Sequence, residues 1–285
     1  MTYEQTKTIK NSAFKLWTIL ATSISLMMLA ILLIKIGMDG MHRISLQFFT
    51  ALPSRKAENA GIFTAWVGTL WIMITTALVA IPIGIGAGVY LEEYSKKGTW
   101  ANFLEVNISN LAGVPSIIYG LLGLEFFVRF LHLGESILAG SLTLALLILP
   151  IVIVSTRESL KAVPKTIREA SYALGASKWQ TVWGQVLPAA SGGVMTGIIL
   201  ALSRAIGETA PLIVVGALTY VPFVPTSVFD SFTVLPIQIF NWTSRPQAEF
   251  LINAAAGIIV LLTITILMNS IAVMLRNRWQ SSVKW

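Results

Sequence analysis

Six stretches of this chain are apolar almost without interruption, and polar residues gather between them. The runs cover approximately 16–37, 65–90, 108–131, 137–156, 189–218 and 250–275. None alternates with period two, so each predicts a helix and not the strand of a barrel. A helix of about 20 residues, rising about 1.5 Å per residue, crosses the hydrocarbon core of a bilayer. The pattern therefore predicts an all-α polytopic membrane protein with about six transmembrane helices. The first run follows Lys7, Lys10 and Lys15, as a secretion signal does. It is long for such a signal, and Lys35 followed by Met38-Asp39-Gly40 is no small-residue cleavage site, so it reads as a retained helix. No polar stretch is long enough for a separate soluble domain.

Composition agrees and narrows the chemistry. Of 285 residues, 55% are hydrophobic and only 12% charged, about half the charged share of ordinary soluble domains. The formal charge of +7 sits at the ends of the apolar runs, where basic residues anchor topology instead of binding nucleic acid. With the N-terminus cytoplasmic, that side carries Lys7, Lys10, Lys15, Lys96, Lys97, Arg157, Lys161, Lys165, Arg168, Lys178, Arg276, Arg278 and Lys284. The other side carries Lys35, Arg43, Arg55, Lys56, Arg129 and Arg245, so both termini are expected in the cytoplasm. There is no cysteine, and His42 and His132 are far apart, which leaves no expected metal site. The external segments 38–60 and 220–249 are rich in proline and aromatics, as short interfacial helices or loops packed over the helix ends would be.

Charges inside the apolar runs need a use, because each costs about 2.5–3.5 kcal/mol to insert. Arg204 and Glu208 lie one helical turn apart in the fifth run, and Glu125 and Arg129 do so near the outer end of the third. Each pair reads either as a structural ion pair or as an anion receptor, since a guanidinium fork matches oxyanions bidentately. Glycines 84, 86, 88, 192, 193 and 197 suit close helix packing, and Pro82, Pro115, Pro150 and Pro211 are expected to bend their helices.

The link at 161–188 reads as two short amphipathic helices. Pro164 suits a helix start, Gly175 a left-handed helix end, and Ser177 with Gln180 a capping box. Ile167, Ala170 or Ser171, and Leu174 are expected on one face of the first helix; Trp179, Val182, Trp183 and Val186 on one face of the second. Such a pair serves either as a connector lying in the headgroups or as a docking knob for a partner.

Glu169-Ala170-Ser171, Gly175 and Leu187-Pro188 resemble the coupling loop of type I ABC-importer permeases, with Ser171 and Gln185 as departures from its pattern. Residues 112–124 and 201–212, with Gly207-Glu208-Thr209-Ala210-Pro211, resemble phosphate-importer permeases of the PstA type. The resemblance runs from about residue 60 to the end, which makes 61–285 a permease core preceded by a tail, first helix and external segment at 1–60. It implies a non-catalytic subunit of a bacterial inner-membrane phosphate importer, docking on an ATPase through Glu169, Ala170, Ser171, Gly175, Leu187 and Pro188. It also implies a PstC-like paralogous permease, an ATPase dimer that holds ATP and Mg, and an external phosphate-binding protein, with a substrate path past Arg204, Glu208, Glu125 and Arg129. No cofactor is expected on this chain, which has no Gly-x-x-x-x-Gly-Lys-Ser/Thr loop. The alternatives are a proton-coupled secondary transporter, a passive membrane anchor, and an ABC permease for another oxyanion such as sulfate or molybdate.

Overall fold

The computed structural model describes residues 3–96, 98–217 and 220–281; Lys97, Lys284 and Leu218, which enter the readings above, lie outside the described residues. The chain forms α1 (Tyr3–Gly40), α2 (Leu46–Thr50), α3 (Phe63–Val89), α4 (Thr99–Leu111), α5 (Ser116–Gly123) and α6 (Ile137–Lys161). It continues through α7 (Lys165–Ala173), α8 (Lys178–Thr181), α9 (Leu187–Ala205), α10 (Ala210–Val215), α11 (Leu235–Thr243) and α12 (Glu249–Ser281). Wider π-turns prolong α3 through Tyr94, prolong α5 through Phe130, and join α8 to α9. Among the described residues, five helices are long and apolar enough to cross a membrane, and a sharply bent pair provides a sixth candidate.

That bent pair corrects the third run. It is not one helix over 108–131: Asn102–Leu111 and Ser116–Phe130 meet at 99°. Pro115 cannot donate a backbone hydrogen bond and disfavours helical geometry at Val114, so α4 ends and α5 starts in a new direction. The Tyr119 hydroxyl bridges the break by donating to the Leu111 carbonyl at 2.8 Å. The fifth run is interrupted too. α9 stops at Ala205, three tight turns carry the chain past Gly207, and Pro211 opens the short α10, which ends at Gly216 with φ +102°. Pro82 and Pro150, by contrast, lie inside helices that continue through them.

α6 is the centre of the bundle, packed between α3 and α9, with α5 and α10 closing one side. α12 lies beyond α9 and carries α11 and α1. Small residues allow close approaches on both sides of α6. A Cβ at Gly84 would come within 2.6 Å of Val152, and one at Gly88 within 2.7 Å of Thr156, so α3 rests directly on α6. On the other side of α6, Gly193 and Gly197 leave room only for the side chains of Ser159 and Ser155. Gly86 faces open space, so the expectation of close packing fails there. α1 presents its apolar residues outward over 11–35, as a lipid-facing helix would, and its last residue, Gly40, packs against Ala255 and Ala256 of α12.

The external segments pack over the helix ends. Phe48 of α2 is fully buried against Trp242 of α11, with ring centroids 5.9 Å apart. Arg43 holds this cap closed, donating to Asn253 at 2.8 Å and to the carbonyls of Ala57, Glu58 and Ala60. The amides of Thr226 and Ser227 donate to Asp230 and hold its carboxyl below the usual range, fixing the loop that leads to α11.

Gly197→Leu should therefore wedge α9 from α6. Overpacking of this kind costs about 1–3 kcal/mol, read as a lower melting temperature of the detergent-purified protein. Gly86→Ala, whose Cβ meets nothing within 4 Å, should melt like the wild type.

Candidate functional site

The break between α9 and α10 places a charged pair beside the helix end, with Arg204 exposed and Glu208 partly buried. Arg204 occupies the last turn of α9, and Glu208 follows in the turn that links it to α10. The expected pair forms: Arg204 Nε lies 3.3 Å from Glu208 Oε1, with side chains 39% and 16% exposed. It forms across a helix end and not within a continuous helix. Tyr119, buried in α5, lies within electrostatic reach of the guanidinium. Only Nε of Arg204 is engaged; its two Nη groups make no hydrogen bond to any described residue.

Other arginines are used differently. Arg43 spends its donors on Asn253 and three carbonyls. Arg157 reaches Glu92 at 3.1 Å and Glu105 at 2.5 Å. Arg168 divides its donors between Glu93 and the carbonyls of Val163 and Leu160. These three close structure, whereas Arg204 keeps two adjacent donors unspent.

Glu125 and Arg129 pair with each other on the π-turn that prolongs α5, but their side chains are 65% and 63% exposed. Glu125 lines an open groove of about 510 Å³ together with Ile118, Leu122 and Phe126. Among the described residues, no hydrogen bond or ion pair joins this couple to Arg204 and Glu208. The four charges are thus two separate pairs.

The segment at 161–188 folds as two short helices with a left-handed turn between them. Gly175 adopts φ +81°, where a side chain would be strained. Its amide donates to the Tyr172 carbonyl, and that of Ala176 to the Ser171 carbonyl, closing α7. Ser177 and Gln180 form the expected reciprocal cap, at 2.8 and 3.3 Å. The predicted faces need correction. In α7, Ile167 and Ser171 turn inward, but Leu174 is 90% exposed. In the second helix, Val182 and Val186 are buried, while Trp179 and Trp183 turn out and pack against each other, ring centroids 5.1 Å apart and planes tilted by 48°, beside Tyr94 and Gly86. The wider π-turn over Val182–Val186 changes the angular spacing on which the one-face expectation rested.

Ser171 has a structural reason to be a hydroxyl. Its Oγ lies 2.8 Å from Oγ1 of Thr181, which is fully buried, so the two helices are pinned at their crossing. Glu169 and Ala170 are exposed, and Glu169 makes no hydrogen bond or ion pair among the described residues. Leu187, half-buried, and Pro188 open α9. The ion pairs of Arg157 and Arg168 escaped sequence reasoning, although Glu92-Glu93 directly after an apolar run was a visible signal.

Residues 80–281 match the family described as binding-protein-dependent transport system inner membrane component. The chain is 33% identical over 237 residues to the probable ABC transporter permease protein YqgI of Bacillus subtilis, covering 78% of this chain and 81% of that one. It is 36% identical over 237 residues to the phosphate transport system permease protein PstA of Yersinia pestis, covering 83% and 78%. Two solved structures share the fold. A bacterial ABC transporter involved in import of the polysaccharide alginate aligns with a TM-score of 0.64 at 15% identity, over 96% of this chain and 99% of that one. The inward-facing methionine transporter MetNI aligns with a TM-score of 0.61 at 19% identity, over 74% and 93%. Helix breaks, coupling segment and sequence agree: this chain belongs to the binding-protein-dependent transport system inner membrane components, the permease subunits of ABC importers.

Proposed function

We propose that this chain forms half of the translocation pathway of an ATP-driven phosphate importer, with Arg204 as the pathway's anion receptor. The observation that carries the reading is the pair of unspent Nη groups on Arg204, in the last turn of α9 at the break before α10. A guanidinium with two adjacent free donors accepts a tetrahedral oxyanion bidentately. Glu208 holds the side chain through Nε and leaves the fork open to substrate. The exposed face of α5, with Glu125 and Arg129, would meet a paralogous permease and close the pathway from the other side. The phosphate assignment draws on the PstA proteins to which the chain is similar.

The energy comes from elsewhere. α7 and α8 form the knob that docks on a separate ATPase carrying ATP and Mg, with Glu169 and Leu174 as its exposed contact residues. An external binding protein delivers substrate to the opposite end, and the chain itself makes and breaks no covalent bond. The basic residues beside α7 support a cytoplasmic position for this end and for both termini.

In vesicles holding the whole complex, Arg204→Ala should abolish ATP-dependent uptake of radiolabelled phosphate without loss of assembly. Two charge-assisted hydrogen bonds at about 1.5–3 kcal/mol each correspond to about 100-fold or more in rate. Uptake that survives this change would refute the receptor role, and competition by sulfate or molybdate in the wild type would move the assignment to another oxyanion. Glu169→Lys should prevent the ATPase from co-purifying and stop uptake. Uptake that continues on a proton gradient alone would mark a secondary transporter instead.

A further inference from the structure

The docking helix is fastened to the bundle by charge, at a place the coupling motif does not include. Arg168 lies one residue before Glu169 on α7, so the two side chains leave the helix about 100° apart. Glu169 faces out, whereas the Arg168 side chain is only 17% exposed. Its Nη2 lies 2.5 Å from Oε1 of Glu93, and its Nε 3.1 Å from the same oxygen. Glu93 lies one residue before the end of the π-turn extension of α3, and its side chain is 7% exposed. The remaining donors reach the carbonyls of Leu160 and Val163, both at 2.9 Å. Those carbonyls lie at the C-terminal end of α6, where backbone acceptors lack helical partners and favour a cation.

One guanidinium therefore joins three elements: the docking helix, the end of α3 and the end of α6. The neighbouring acid on α3, Glu92, is taken by Arg157 of α6, whose other arm holds Glu105 of α4. α4 leads across its break to α5, which carries Tyr119 beside Arg204.

We infer that Arg168, through Glu93, is the positioning residue that makes the docking helix and the adjacent ends of α3 and α6 move as one body, so that a displacement imposed on α7 is delivered to the helices around Arg204. A docking helix tied only by its flanking loops would tilt in its own socket and dissipate the displacement. A forked donor with four fixed acceptors on two helices resists both sliding and rotation, which a single point charge does not. The inference rests on the reading that α7 receives the ATPase.

Two measurements test it in the assembled transporter. The chain has no cysteine, so Thr166→Cys on α7 and Ile83→Cys on α3, both exposed, take spin labels uniquely within it. In the complex with an otherwise wild-type sequence, their distance distribution should stay the same between nucleotide-free and ATP-bound states. With Arg168→Lys, which keeps the charge and loses the fork, the distribution should differ between those states. A nucleotide-dependent distance with the fork intact would overturn the inference. The second readout is phosphate transported per ATP hydrolysed. Arg168→Lys and Glu93→Gln should each lower it about tenfold or more, while hydrolysis by the assembled complex stays within about twofold. An unchanged ratio in both would overturn it as well. Should neither variant assemble, the distance in the unsubstituted complex decides. A wild-type complex that takes up no phosphate would refute the substrate reading, and the distance would still decide the fork.

Discussion

Hydrocarbon supplies no hydrogen bonds, so every interruption of a helix within this bundle has to be satisfied by the protein itself. That constraint explains where the irregular backbone is found. The break at 112–115 is bridged by Tyr119 donating to Leu111. The break after α9 is closed by successive short turns between Leu202 and Glu208 and is covered by the packing of α10 on α5. The end of α6 gives its spare carbonyls to Arg168, and the cap over α3 and α12 gives its own to Arg43. Regular helices need none of this help and account for the rest of the membrane-spanning chain.

The same constraint sorts the arginines. Arg43, Arg157 and Arg168 spend their donors on carboxylates, amides and carbonyls and hold elements together. Arg204 spends one nitrogen on Glu208 and keeps its fork. A membrane protein gains nothing structural from a half-used guanidinium, since the insertion cost is paid in either case. Arg129 and Arg245 likewise each engage a single nitrogen in hydrogen bonding, so the receptor role proposed for Arg204 rests on its place at the break between α9 and α10 as well as on its unspent donors.

Legibility in the sequence followed physical range. The apolar runs were plain because burial in lipid acts on every residue of a span, and the cap at Ser177 and Gln180 was plain because it is local. Gly175 announced its positive φ for the same reason. The bend at Pro115 was harder: a proline marks a possible break, but Pro82 and Pro150 sit in helices that continue through them, and only the surrounding packing distinguishes the cases. The outward turn of Trp179 and Trp183 relative to Val182 and Val186 was missed because a π-turn that no residue type demands begins at Val182, and that of Leu174 because it stands at the C-terminal end of α7, beyond its last helical residue. The ion pairs of Arg168 with Glu93 and Arg157 with Glu105 join residues 75 and 52 positions apart, beyond any periodic signal. Of the four predicted pathway charges, pairing at one helical turn was legible, but the separation of the two pairs was not.

In the proposed reading the permease has two separate working parts: a half-open arginine fork at the break after α9 and an exposed amphipathic knob formed by α7 and α8. Leu174 gives the most direct access to the central claim that a separate ATPase drives the chain through that knob. A photo-crosslinking residue in place of Leu174, incorporated in cells that make the whole transporter, should attach to the ATPase subunit and to no other protein of the complex. A probe there that labels only lipid, or another permease helix, would contradict the account.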